Sequence, residues 1–166
     1  MLTIDTAKMQ RLRDALLNLP APVGSAEPQT LAVDSDVEAI IKRFEPFAET
    51  LYLTMMIDGE SDQQEKNVLY SALHLLSNGA LQSAMIDTLL ARFANNLAQQ
   101  GVEYRLQHIG VHLCADKAER EIAFKLAATV ALANDTVDDT EQDILTTIAQ
   151  YYGISSRRMQ GLLEEI

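Results

Sequence analysis

Apolar residues recur at helical spacing along almost the whole chain, and Gly and Pro fall between the periodic segments. Met9, Leu12, Leu16 and Leu19 predict an amphipathic helix over 4–19, stopped by Pro20. Pro20, Pro22 and Pro28 crowd into 20–34 and mark a linker, which divides the chain into an N-terminal helix with its Pro-rich linker (1–34) and a helical domain (35–166). The pattern predicts a second helix from Ser35, whose hydroxyl would cap it while Glu38 reaches back. Pro46 is expected to break or kink that helix, and 47–57 continues as an almost wholly apolar stretch. Further helices are predicted over 62–77, 82–99 and 102–114, ended by Asn78-Gly79, Gly101 and the turn before Asp116. Asp116 with Glu119 caps the next, whose body, 122–133, carries Lys125 as its one charge; such a helix must be buried on nearly all sides. Two more, over 138–152 and 155–165, flank Gly153. No strand alternation competes, so the pattern predicts an all-α bundle of about seven to eight helices.

Shifting the chain by 76 positions lays 51–76 against 127–152, each an apolar helix, an acidic turn and an amphipathic helix. Three of the 26 aligned residues are identical, too few to carry weight, so the pattern must carry the duplication. Val68, Leu69, Ala72, Leu73 and Leu76 match Ile144, Leu145, Ile148, Ala149 and Tyr152, an apolar face in both copies. Asp62-x-x-Glu65 matches Asp138-x-x-Glu141 at the start of each second helix.

Charge sharpens this picture. Thirteen Lys and Arg face 24 Asp and Glu, a formal net of −11. Nine of those acids lie in 58–65 and 134–143, which hold no Lys or Arg, and the rest of the chain nets only −2. A field of this sign makes nucleic acid and anionic membrane poor partners and a basic protein a good one. Aromatic residues make up 5% and Trp is absent, leaving little for base or sugar stacking. No apolar run approaches the ~20 residues of a membrane helix, and Met1-Leu2-Thr3-Ile4-Asp5 does not open a signal peptide. The single cysteine, Cys114, cannot form an internal disulfide and fits a reducing, cytoplasmic setting.

Capping explains part of the acidity. Asp62 and Asp138 would accept from backbone N–H groups of the new helix, with Glu65 and Glu141 completing the box. It does not explain Asp58, Glu60, Asp135 or Asp139. Asp58 ends a helix, where the dipole disfavours it, and close carboxylates repel by about 1 kcal/mol per pair even in water. A hard cation of the Ca²⁺ or Mg²⁺ class would reverse both penalties. The candidate metal-binding residues are therefore Asp58, Glu60, Asp62, Glu65, Asp135, Asp138, Asp139 and Glu141, holding a divalent cation weakly or in one shared site. The spacing is not an EF-hand: Gln63 and Leu69 stand where that loop needs Gly and Glu.

At these residues the chain resembles a known family. Ile57-Asp58-Gly59-Glu60-Ser61-Asp62-Gln63-Gln64-Glu65, after an apolar helix, resembles the first acidic signature of the TerB (tellurite-resistance) family. Ala133-Asn134-Asp135-Thr136-Val137-Asp138-Asp139-Thr140-Glu141, followed by Tyr152-Gly153-Ile154-Ser155, resembles its second copy. The resemblance covers about 45–165. It implies a duplicated helical domain, metal association through the acidic turns, and a bacterial setting in stress response or membrane-associated machinery; related domains precede the J-domain of DjlA-type co-chaperones. Asp58 and Glu65 match the first signature. Asn134 and Asp135 stand where the second copy usually has Asp and Gly, and Ser61 replaces an apolar residue.

Other chemistry is sparse. His108 and His112 lie one helical turn apart, a zinc spacing, but no third ligand is evident and Cys114 falls on another face. His74 is expected to pack, as are Met55 and Met56. Lys42-Arg43 and Arg157-Arg158 read as solvated or ion-paired. Asp138-Asp139-x-x-x-Asp143 superficially resembles Mg²⁺ motifs of all-α phosphohydrolases, yet only Lys66 adjoins the turns to balance a phosphate. The sequence thus supports a non-enzymatic module that binds cations weakly, docks a basic protein partner, or does both. A homodimer through the N-terminal helix is a further expectation.

Overall fold

The computed structural model describes residues 4–19, 33–57, 63–133 and 139–166. Eight helices and no strand stand among them: α1 Thr6–Leu17, α2 Val33–Met56, α3 Gln63–Leu76, α4 Ser83–Gln100, α5 Val102–Leu113, α6 Lys117–Ala131, α7 Asp139–Tyr151 and α8 Ser156–Glu164. Local signals set several ends. Asp5 accepts from the N–H groups of Ala7 and Lys8 to open α1, and Asp116 accepts from Ala118 at 2.8 Å and Glu119 at 3.2 Å to open α6. At the end of α7, Gly153 sits at φ 67°, so that Ile154 N–H reaches Ala149 C=O at 2.8 Å and Gly153 N–H reaches Gln150 C=O at 3.1 Å. This is a Schellman closure, and Asn78 (φ 54°) with Gly79 makes the matching one after α3.

One local expectation changes and another is narrowed. Ser35 lies inside α2, which begins at Val33, so it does not cap; Glu38 pairs instead with Lys42 one turn on, at 3.4 Å. Pro46 does not break α2, which runs unbroken to Met56. The ring deletes one intrahelical donor, while the Pro46 carbonyl is held by the Thr50 hydroxyl at 2.7 Å. Tertiary packing carries the helix across that position.

The centre of the bundle is α6 against α2. Ala123, Phe124, Leu126, Ala127 and Ala128 of α6 are fully buried, as are Ala48, Leu51 and Leu53 of α2. Around this pair, α1 packs on α3 and α6, α5 on α2, α4 and α7, and α8 on α6 and α7. The duplication keeps its register: α3 starts at Gln63 and α7 at Asp139, the same 76-position shift that aligns the sequences. Leu69, Ala72, Leu73 and Leu76 are buried, and so are their counterparts Leu145, Ile148, Ala149 and Tyr152.

Helix α1, set apart in the sequence by its linker, shares this core. Met9 and Leu16 are fully buried, and Arg43 of α2 donates to the carbonyls of Leu16 and Leu19, 3.1 Å each, so that the last turn of α1 is tied to α2. Leu16→Ala is expected to lower stability by about 2–5 kcal/mol, the cost of a cavity at a site that cannot collapse; a melting curve unchanged from wild type would show that α1 does not pack this way. Helices α5 and α7 approach closely at Gly110, where a Cβ would stand 2.2 Å from the Tyr151 carbonyl oxygen. Gly110→Ala must therefore push α5 off α7, with an expected loss of about 3 kcal/mol in chemical denaturation.

Candidate functional site

The residues that the sequence singles out as metal ligands are distributed as follows. Asp58, Glu60, Asp62, Asp135 and Asp138 lie outside the described residues, and Glu65 belongs to α3 with its side chain outside them. Asp139 is the first residue of α7 and is exposed; Glu141 follows in the same turn, partly buried. Among the described residues no three His, Cys, Asp or Glu side chains converge as a metal would require. The zinc-spaced pair is likewise placed: His108 and His112 are exposed on α5, and His108 stacks on Tyr104 with ring centroids 6.4 Å apart. His74 is exposed rather than packed inside; its Nδ1 lies 3.4 Å from the Leu81 carbonyl oxygen. Cys114 is exposed at the end of α5.

The most buried charges are ones the sequence reading passed over. Glu49 is 3% exposed and Arg105 8% exposed. Arg105 Nε donates to Glu49 Oε1 at 2.7 Å and Nη2 to Oε2 at 2.8 Å, while Nη1 reaches Gln100 Oε1 at 2.8 Å. This bidentate fork fastens α5 to α2, and the hydrogen bond with Glu49 raises the pKa of the guanidinium further. At the very next residue, the Thr50 hydroxyl and the Tyr152 phenol share a buried hydrogen bond between α2 and the end of α7. Burial drives the Tyr152 phenol above its ordinary range; the bond to Thr50 acts in the opposite sense. The signal was present in the sequence, since Glu49 is a lone acid inside an apolar run and such a charge needs a partner. Over this pair lies a notch of about 260 Å³ lined by Lys42, Glu45, Pro46, His108 and His112. Glu45 is taken up by Arg92 at 2.7 Å.

A concavity of a different character lies elsewhere. Tyr52, Met55 and Met56 at the end of α2, Lys66, Leu69 and Tyr70 of α3, and Leu90 and Ala94 of α4 line a half-open groove of about 410 Å³. Tyr52 forms its floor against Phe93, ring centroids 5.8 Å apart. Its walls are apolar except for Lys66 and the tyrosine hydroxyls. Asp87 stands exposed one turn before Leu90 on α4, and the acidic segment 58–62 covalently joins the α2 wall to the α3 wall. Methionines suit a groove that must fit several apolar shapes, because the unbranched thioether adapts at little cost.

A third ion-pair system closes α8 onto α6. Arg158 Nε and Nη2 donate to Glu121 Oε1 and Oε2, 2.7 Å each, and Nη1 to Glu165 Oε1 at 3.0 Å, while Lys125 pairs with Glu165. The Arg158 hydrogen bond holds the Glu121 carboxyl below its ordinary value of 4.5. A depressed carboxyl pKa stabilises the fold above the unfolded value, and that stability drains away as pH falls through the folded value. Glu121→Gln is thus expected to lower the melting temperature modestly at pH 7 and to have a shrinking effect below about pH 4; an equal effect at both pH values would exclude this linkage.

For the deeper pair, Glu49→Gln leaves Arg105 buried without its counter-charge, at an expected cost of about 3–5 kcal/mol. Replacing both residues with Met should recover most of that loss, a double-mutant cycle read by denaturant titration. Full additivity of the two single changes would show that the pair is not coupled. Compared with protein-family models, curated proteins and solved structures, the chain matches none of them, so the functional reading rests on its own residues.

Proposed function

We propose that the chain is a non-catalytic docking module that takes a basic, amphipathic segment of a partner protein into the groove between α2, α3 and α4. The observation that supports this reading is the groove itself, about 410 Å³ with apolar walls, in a chain of net charge −11 whose first acidic segment connects two of those walls. Apolar anchors of the partner would fill the space over Tyr52, Met55 and Leu90, and its basic residues would meet acids such as Asp87. Electrostatics of this kind sets orientation and encounter rate more than final affinity.

Weak divalent-cation binding at the acidic turns is the second reading. It is favoured by the acidic segments preceding α3 and α7, which begin at matching positions of the duplicated unit. The stress-response setting implied by the TerB resemblance belongs to the same proposal, as does a cytoplasmic location. A homodimer through α1 would exchange that helix between copies, because Met9 and Leu16 already fill the chain's own core.

Fluorescence anisotropy with a labelled Leu/Lys amphipathic peptide and its Leu/Glu counterpart tests the docking reading. The basic peptide is expected to bind, to weaken as salt screens the charges over about 8–10 Å, and to be lost with Leu90→Asp. Equal binding of both peptides, or binding that survives Leu90→Asp, would overturn it. Retention of binding in chelator assigns the groove to docking alone. For the cation reading, saturating Ca²⁺ or Mg²⁺ at 100 times the dissociation constant adds about 2.7 kcal/mol, and Asp58→Asn with Glu65→Gln should abolish that gain in a thermal melt.

A further inference from the structure

The molecule contains several arginines whose guanidinium edge is filled by a carboxylate. Arg105 holds Glu49 through Nε and Nη2, and Arg158 holds Glu121 through the same two atoms. Arg120, on the first turn of α6, is built differently. Its Nη1 donates to the Tyr152 carbonyl oxygen at 3.3 Å, and among the described residues no carboxylate pairs with it. Among the described residues, Arg120 Nε is the buried side-chain nitrogen left with no hydrogen-bond partner. A buried donor without a partner carries an uncompensated desolvation cost, of about 1–3 kcal/mol and more for a charged group, so native structures rarely keep one idle.

Arg120 lines a notch of about 260 Å³, with Lys117 and Glu121 of α6, Gly153 and Ile154 of the α7–α8 turn, and Ser155 and Arg158 at the start of α8. Three cations and one carboxylate line it, and a second carboxylate, Glu165, holds Arg158 Nη1 from beside the lining at 3.0 Å. The lining carboxylate, Glu121, is already committed to Arg158 at 2.7 Å and approached by Lys117 at 3.7 Å. In a chain carrying −11, a pocket that gathers an excess of positive charge runs against the composition. Gly153 permits the arrangement: it sits at φ 67°, and a Cβ there would stand 3.1 Å from Arg120 Nη1. The start of α8 adds to it, since Ser155 caps the N–H of Arg158 at 3.3 Å and the N–H groups of Ser156 and Arg157, first in the helix, have no intrahelical acceptor.

We propose that this notch between α6 and α8 is an anion site for a phosphate-type group, borne by inorganic phosphate or by a small phosphomonoester. The Arg120 guanidinium, whose Nε is enclosed without a partner at the notch, would meet a phosphate oxygen after a small side-chain shift, Lys117 supplies a point charge, and the first N–H groups of α8 complete the shell. The volume suits a small anion rather than a drug-sized ligand. The site is separate from the α2–α4 groove and does not depend on the docking reading.

The test is an NMR titration of the full chain with inorganic phosphate, and in parallel with a simple phosphomonoester, each against sodium chloride at matched ionic strength. Phosphate is expected to give saturable shifts of Arg120 Nε–H and of the Ser156 and Arg157 amides. Arg120→Gln should weaken binding about tenfold or more, and Lys117→Gln should weaken it severalfold. Glu121→Gln removes the carboxylate that lines the notch, leaving Glu165 on Arg158, and should tighten binding, a sign that a merely structural role for these residues would not produce. Tighter binding of the ester than of phosphate would assign the site to an organic phosphate, and equal binding to the phosphate group alone; both support it. Shifts no larger than those with chloride, or unchanged affinity in both Lys117→Gln and Glu121→Gln, would overturn the proposal even if Arg120→Gln fails to fold.

Discussion

A helix with almost no charge in its body must be surrounded, and that requirement on α6 organises the other seven. From Ile122 to Val130 the described side chains of α6 are buried except Lys125, whose ammonium is tied to Glu165 at the far end of the chain. Ala123, Ala127 and Ala128 are small enough to let neighbouring backbones approach closely, which places α2 directly against α6. Helices α1, α5, α7 and α8 then take the remaining faces. The recruitment of α1, separated from α2 by a Pro-rich segment, follows from the same demand: α6 and α3 together leave apolar surface that Met9 and Leu16 fill.

Building a core on two long helices forces polar groups inside, and the chain satisfies them in two ways. Hydroxyls turn back on their own helix. Thr54 bonds to the Thr50 carbonyl at 2.7 Å and Thr129 to the Lys125 carbonyl at 2.8 Å, so neither needs a partner from elsewhere. Glu49 cannot do this, because a carboxylate accepts only, and it takes its donors from Arg105 of α5. Such a pair contributes little net stability against apolar residues of the same volume. What it does fix is the rotation and height of α5 on α2, since the two short hydrogen bonds of a fork tolerate little sliding. The close pass of Gly110 over Tyr151 sets α5 on its other side.

Much of the fold was legible in the sequence because helical periodicity, caps and Gly or Pro stops are local signals. Asp116 and Gly153 do what their types imply. The failures are also instructive. Ser35 and Pro46 carry strong local meanings, and both are overridden by a helix whose apolar face is long enough to be held by packing. The partnership of Glu49 with Arg105 spans 56 positions, and no local pattern announces it. The candidate site was less legible still. Acids at helix starts are visible as composition, whereas a groove is a property of three helices at once, and Leu90 and Ala94 look like any other apolar positions of an amphipathic helix.

The duplicated unit offers a reason for the groove to lie where it does. Tyr52, Met55 and Met56 of the first copy correspond to Ala128, Ala131 and Leu132 of the second, and Lys66 and Tyr70 to Gln142 and Thr146. Large, adaptable side chains therefore line the interhelical space in one copy, and smaller ones occupy the same register in the other. The third helix differs in parallel: α4 has 18 residues, and α8, which follows the second unit, has nine. Short α8 can lie down on α6 and α7 and be locked by Arg158 to Glu121, which closes that side and gathers Lys117, Arg120 and Arg158 at its start. Long α4 meets α2 and α3 along a wall that stays open. One repeated helical arrangement thus supports two different surfaces, an apolar groove and a notch lined by three cations and a carboxylate. The difference traces to side-chain size in α2 and α6 and to the length of the helix that follows each pair.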